Sequence, residues 1–221
     1  YRDYALKEYI ATRNYLYDGR KRLFYRDSRF FDRRSPYGNK IFWSRGNGWV
    51  FAGLPLLLEA LPEEHAARRE LLRLYREMAS KLADLQHPSG YWAPSLLDVA
   101  HGSVRETSGT AFITFALAWG LNEGLLPEGR YGPIVERAWQ ALKRAVDGNG
   151  RLGWVQQVGN APEEVLASDT QLYGSGALLL AASEMLERQR QEPVDLDSRS
   201  AADGRSPMAL RVSPGVVSPA D

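Results

Sequence analysis

Arg45 stands between two tryptophans in the run Trp43-Ser44-Arg45-Gly46-Asn47-Gly48-Trp49. A guanidinium presents a planar fork of N–H donors that matches a carboxylate in a two-pronged hydrogen bond. A tryptophan face beside it can stack on a ring. Gly46 and Gly48 let the backbone turn and approach a ligand closely. A helix starting here would add partial positive charge at its N-terminus. These features point to an anionic, cyclic ligand. The competing expectation is a structural turn in which Arg45 pairs with Asp27 or Asp32.

Two further polar segments carry groups able to do chemistry. Asp98, His101, Arg105 and Glu106 crowd into residues 98–109, where Thr107 or Ser108 is expected to cap the following helix. Asp169 opens the segment Asp169-Thr170-Gln171-Leu172-Tyr173-Gly174 and suits a helix cap, a partner for sugar hydroxyls or an acid. Glycoside cleavage calls for a proton donor and usually a second carboxylate. Asp27, Asp32, Asp98, Glu106 and Asp169 are all loop carboxylates, and their spacing does not select a pair.

The elements that must position these groups repeat along the chain. Residues 111–121 are apolar almost all round, which marks an enclosed helix. Over residues 131–146, Ile134, Val135, Ala138, Trp139, Leu142 and Val146 recur at three- and four-residue spacings between charged residues, which marks a surface helix. The same alternation appears upstream, with an enclosed run over residues 49–60 and an amphipathic one over residues 67–85. It restarts at residues 176–186. A polar stretch with a glycine precedes each enclosed helix, and the period from Gly48 to Gly109 to Gly176 is a little over about 60 residues. The unit is therefore an inner helix, an outer helix, a turn, an aromatic extended piece and a polar loop. This pattern predicts an all-α fold, an (α/α)6 barrel or six-hairpin toroid. Six such units need about 360 residues. This chain carries one outer helix near residues 4–17, two hairpins and a last inner helix, about half of the ring. The expectation is that the rest of the domain lies upstream of Tyr1; an alternative is that the half-ring forms a homo-oligomer. Residues 1–189 are assigned to the barrel. Residues 190–221, rich in Pro, Ser, Asp and Arg, are expected to form a disordered tail.

Composition narrows the partners. The net charge is +1, which gives no reason to expect nucleic acid or an anionic membrane surface. The three histidines show no metal-ligand spacing and cysteine is absent, so neither metal nor other cofactor is expected. The 6 Trp and 11 Tyr can face sugars, although most aromatics of any such set belong to the core.

The run Phe42-Trp43-Ser44-Arg45-Gly46-Asn47-Gly48-Trp49-Val50 resembles glycoside hydrolase family 105, the unsaturated rhamnogalacturonyl hydrolases. Leu23-Phe24-Tyr25-Arg26-Asp27, Ser95-Leu96-Leu97-Asp98, Glu106-Thr107-Ser108-Gly109-Thr110, Ala116-Leu117-Ala118-Trp119-Gly120 and Tyr173-Gly174 support the resemblance in order. It implies hydration of the C4=C5 double bond of an unsaturated uronyl residue at the end of a pectin-derived oligosaccharide. By match to the family motif, Arg45 and Trp49 contact the uronate. Trp43, Asn47, Arg26, Asp27, Glu106 and Asp169 complete the expected substrate-binding set. The family's proton-donor Asp matches no residue here and is expected upstream. Some relatives carry a histidine near Arg26, which bears on substrate choice. The alternatives are a catalytically inactive fragment, or another α/α-barrel sugar enzyme such as an epimerase. For an epimerase, His101 is the one candidate. The compartment stays open between bacterial cytoplasm and periplasm.

Overall fold

A computed structural model describes residues 1–101, 104–159 and 161–191. Among the described residues, six helices follow in order: α1 (Arg2–Leu16), α2 (Ser44–Ala60), α3 (Arg68–Asp84), α4 (Thr107–Asn122), α5 (Glu128–Arg144) and α6 (Leu172–Gln191). One small antiparallel ribbon, β1 (Tyr17–Asp18) with β2 (Leu23–Phe24), follows α1.

Helices α2, α4 and α6 form the inner layer, with α4 packed between the other two. Every residue of α4 from Thr107 to Leu121 is buried, as its all-round apolar sequence requires. Outer helix α3 turns Leu71, Leu74, Tyr75, Met78 and Leu82 inward, and α5 turns Ile134, Val135, Ala138 and Leu142 inward. Each such fully buried Leu, Ile or Met side chain contributes about 1.5–3 kcal/mol.

Glycine sets how closely the inner helices approach. A methyl group on Gly109 would lie 2.6 Å from Ser44 Oγ and 2.8 Å from the Arg45 nitrogen, so the first turns of α2 and α4 meet where side chains are absent. Gly48 serves the same contact from α2, with Phe112 Cβ 3.0 Å from where its own Cβ would stand. Gly46 and Gly48 are thus residues of the first helical turns and not of a loop.

The polar loops that enter α2, α4 and α6 are sewn to one another. Ser44 N donates to Pro94 O at 2.9 Å and Leu96 N to Phe42 O at 2.9 Å, around a bridge between Trp43 and Ser95. Thr107 N donates to Trp154 O at 2.9 Å, and Val155 N to Asp169 O at 3.0 Å. The N-terminal ends of all three inner helices therefore gather at one end of the layer.

Helix α6 runs on through Arg190 and Gln191, two residues that the composition assigns to the tail. Residues 192–221 lie outside the described residues. On α6, Leu172, Leu179 and Leu186 recur every seventh residue and are exposed.

Candidate active site

Arg45 sits in the first turn of α2 and is only 6% exposed. Its guanidinium lies 4.3 Å from the Trp43 ring centroid and 4.8 Å from that of Tyr173 at the start of α6. It donates to the backbone oxygens of Gln156 and Gln157 and to Tyr173 Oη. A guanidinium has five N–H donors, so two remain for a ligand, one on Nε and one on Nη2. Neither Asp27 nor Asp32 pairs with Arg45, so the structural-turn expectation fails.

Trp43 is buried, and its Nε1 donates to the Gln156 side-chain oxygen. Gln156 is held in turn, because its backbone N–H donates to Glu106 Oε1 at 3.4 Å and its Nε2 to Ala161 O at 3.0 Å. Tyr173 Oη donates to Gln156 O. Burial raises the Tyr173 hydroxyl above the ordinary tyrosine range, with Arg45 lowering it and Glu106 raising it. Tyr173 is therefore a neutral donor at any physiological pH.

Trp49 stands one turn along α2 and is 51% exposed, with its ring 4.1 Å from that of Phe112 on α4. It offers an open aromatic face on the inner layer.

Several residues assigned to substrate from the sequence are engaged in bonds within the fold. Asn47 is buried and its amide is fully engaged: Oδ1 accepts from Phe24 N at 2.8 Å, and Nδ2 donates to Phe24 O and Trp43 O at 3.0 Å each. It clamps β2 to the start of α2. Glu106 is also wholly buried. It is the N-cap of α4, accepting from Ser108 N at 2.9 Å and Gly109 N at 2.6 Å, and it accepts from Ser44 Oγ at 3.1 Å across to α2. The cap expected at Thr107 or Ser108 thus falls to Glu106. Thr107 Oγ1 donates to Gly153 O at 2.8 Å instead.

Asp27 caps a 3-10 turn over Ser28–Phe30 and pairs with Arg26 and Arg29. The Arg29 guanidinium holds its carboxyl well below the usual carboxylate range; burial opposes this, and the Arg29 backbone N–H and Arg26 reinforce it. Arg26 lies 5.9 Å from the Trp43 ring centroid, at the edge of the Arg45 site. Asp169 Oδ2 accepts from Leu166 N at 2.8 Å and closes a turn before α6. Asp98 is buried, accepting from Ser35 Oγ, Asn39 Nδ2 and Ser95 Oγ at 2.9, 2.8 and 2.6 Å. Asp27, Asp98, Glu106 and Asp169 are thus engaged as acceptors within the fold. His101 stacks on Tyr37. No group of three or more His, Asp or Glu among the described residues can hold a metal ion.

Sequence reasoning missed Gln156 and the tie from Tyr173 to Arg45. They lie 111 and 128 positions from Arg45, and only the polar pair Gln156-Gln157 after Trp154 hinted at them.

What remains is a buried cation flanked by two aromatic rings, with a third ring open nearby. A family model described as Glycosyl Hydrolase Family 88 matches residues 1–189. The chain belongs to glycosyl hydrolase family 88. The unsaturated 3S-rhamnoglycuronyl hydrolase of Alteromonas sp. (strain LOR) is 50% identical to this family 88 chain over 186 residues, 84% of this chain and 45% of that protein. The protein of the same description from Formosa agariphila is 46% identical over 193 residues, 85% of this chain and 51% of that one. The chain therefore spans about half the length of the curated relatives it matches.

A solved structure described as a polysaccharide lyase superposes with a TM-score of 0.80 at 41% identity, covering 86% of this chain and 55% of that one. A structure from Salmonella enterica, described as a possible family 105 member, shares the fold at a TM-score of 0.68 and 23% identity, covering 83% of this chain and 49% of that one. The family 88 match and the resemblance to family 105 thus lead to one fold. It is the (α/α)6 six-hairpin glycosidase fold expected from the repeat, of which this chain supplies about half.

Proposed function

We propose that this chain forms the uronate-binding part of a glycoside hydrolase acting on 4,5-unsaturated uronyl residues at the ends of acidic oligosaccharides. The observation that carries this reading is Arg45, buried beside two rings with two N–H donors in reserve. A carboxylate reaching those donors gains charge-assisted hydrogen bonds in a site of low water content, where they are strong. Trp49 supplies the stacking face for the flat unsaturated ring.

The chemistry proposed follows from the vinyl ether. A proton adds at C4 and water supplies a hydroxyl at C5. The C5 hemiketal opens to a ketone, and the hemiacetal so exposed at C1 expels the rest of the oligosaccharide. Arg45 holds the C5 carboxylate while the geometry at C5 changes from planar to tetrahedral. The four engaged carboxylates Asp27, Asp98, Glu106 and Asp169 are not assigned the proton. The relatives named as rhamnoglycuronyl hydrolases favour a uronyl–rhamnose linkage, as does the rhamnogalacturonan reading of the sequence.

The test is loss of ultraviolet absorbance of the double bond with an unsaturated uronyl–rhamnose disaccharide, together with calorimetric binding of the same sugar. Binding that weakens at least tenfold in Arg45→Lys supports the reading. Binding unaffected by that change would falsify it. A binding-only protein is the outcome if the sugar binds through Arg45 and the absorbance stays constant.

A further inference from the structure

Helix α6 has one bare flank. Its buried residues Gly174, Ala177, Ala181 and Met185 belong to the side that packs on α4. Away from that contact, Leu172, Gly176, Leu179, Leu180, Ser183 and Leu186 are all exposed. Their three-, four- and seven-residue spacings put them on one side of the helix. Leu172 and Leu179 are 91% and 70% exposed, so nothing in the chain shields them. Monomers rarely leave an apolar stripe of this length open, which marks it as a contact surface.

The opposite flank of the array carries a groove. Outer helix α1 lies against α2, where Tyr9 Oη donates to Val50 O at 2.8 Å. Beside that bond a groove of about 270 Å³ is lined by Ala5, Glu8, Tyr9, Thr12, Phe24 and Val50. Glu8 is the single charged residue in this lining, so the groove suits aliphatic side chains. Because α4 packs between α2 and α6, the groove and the leucine stripe of one chain stand on opposite sides of it.

The order of the helices selects what covers both flanks. Among the described residues, outer helices α1, α3 and α5 alternate with inner helices α2, α4 and α6. That is half of the alternation in a six-hairpin ring. Two copies related by a twofold axis along the ring continue it without a break, since α6 of each is followed by α1 and α2 of the other. Each leucine stripe then enters the other copy's α1–α2 groove, and the assembly closes with no flank left over. A zipper of α6 on α6 would bury the leucines and leave both grooves open. We propose that two copies of this chain close one ring, with the stripe of Leu172, Leu179 and Leu186 seated against α1 and α2 of the second copy. The pairing rests on the fold alone and is independent of the sugar-binding reading.

The experiment is sedimentation velocity on the full 221-residue chain over a range of micromolar concentrations. A species of twice the mass of one chain is expected. Leu179→Lys on the stripe and Ala5→Arg in the groove should each weaken its association at least about tenfold. Both positions are exposed in a single copy, so circular dichroism should report an unchanged helical fold. Glu136→Lys, on the exposed side of α5, should leave the dimer intact. Three results would each overturn the proposal. One is a single-chain species at every concentration, the outcome if residues 192–221 or part of a longer polypeptide cover the flanks. Another is open-ended assembly without a dimer. The third is a dimer that survives either Leu179→Lys or Ala5→Arg, and loss in Leu179→Lys alone would indicate the α6 zipper. None of these readouts involves sugar, so failure of the functional reading appears only in the disaccharide assay.

Discussion

Arg45 and Glu106, a buried cation and a buried carboxylate, are joined through the backbone of Gln156, whose C=O accepts from Arg45 and whose N–H donates to Glu106. Glu106 also accepts from Ser44, the neighbour of Arg45 in the first turn of α2. One carboxylate therefore aligns the starts of two inner helices and the strand-like segment that supports the guanidinium. Arg45 keeps donors for a ligand because no carboxylate among the described residues takes them.

Glu106→Ala is expected to cost about 3 kcal/mol, since it removes a helix cap and leaves the buried Ser108 and Gly109 N–H groups without acceptors. Glu106→Gln keeps the shape and should cost less. Urea denaturation of the two variants measures the difference. Equal stability of Glu106→Ala and the parent protein contradicts the role given to this carboxylate.

Arg45→Lys keeps the charge and loses the planar fork. The expected result is a fold stability reduced by about 1–3 kcal/mol, since the oxygens of Gln156 and Gln157 lose their donor. Circular dichroism should still report a folded helical protein, so that weakened sugar binding is read on an intact scaffold.

Gly109→Ala should destabilise by about 1–3 kcal/mol through overpacking. The added methyl meets Ser44 Oγ, Glu106 Oε2 and the Arg45 nitrogen, all under 3.0 Å. Gly19→Ala is the control, because nothing lies within 4 Å of the point where its methyl would stand. Thermal melts should separate the two clearly.

Acid should weaken the fold at the base of β1. Burial alone would raise the Asp18 carboxyl, but Lys40, the Lys21 N–H and the Tyr25 hydroxyl outweigh it and bring its pKa from 3.8 down to about 2. Because the folded value is depressed, the stabilisation is complete above about pH 4 and disappears as pH falls through about 2. Denaturation at a series of pH values should show that slope, and Asp18→Asn should flatten it.

The hairpin array was legible in the chain because helix burial is a local matter. Leu71, Leu74, Tyr75, Met78 and Leu82 fall on one face by spacing alone, and that face is the buried one. The importance of residues 43–49 was legible for a similar reason, since Arg45 and both tryptophans lie within two helical turns. The partners of Arg45 were not, because Gln156 and Tyr173 reach it only after α4 and α5 have folded back and brought α6 alongside.

The sequence by itself determined the alternation of inner and outer helices, and that an arginine among aromatic rings stands near the start of one inner helix, although each inner helix begins about four residues before the apolar run that marked it. Only the tertiary structure decided what each polar group does there. Asn47 and Glu106 have the chemistry of ligands for a sugar, yet each is surrounded by backbone groups that burial would otherwise leave unsatisfied. A buried polar atom goes to whichever partner lies within hydrogen-bond reach, and that reach is a property of packing, not of spacing along the chain. Arg45 differs because its neighbours are two backbone carbonyls and a hydroxyl, with two of its own donors left over.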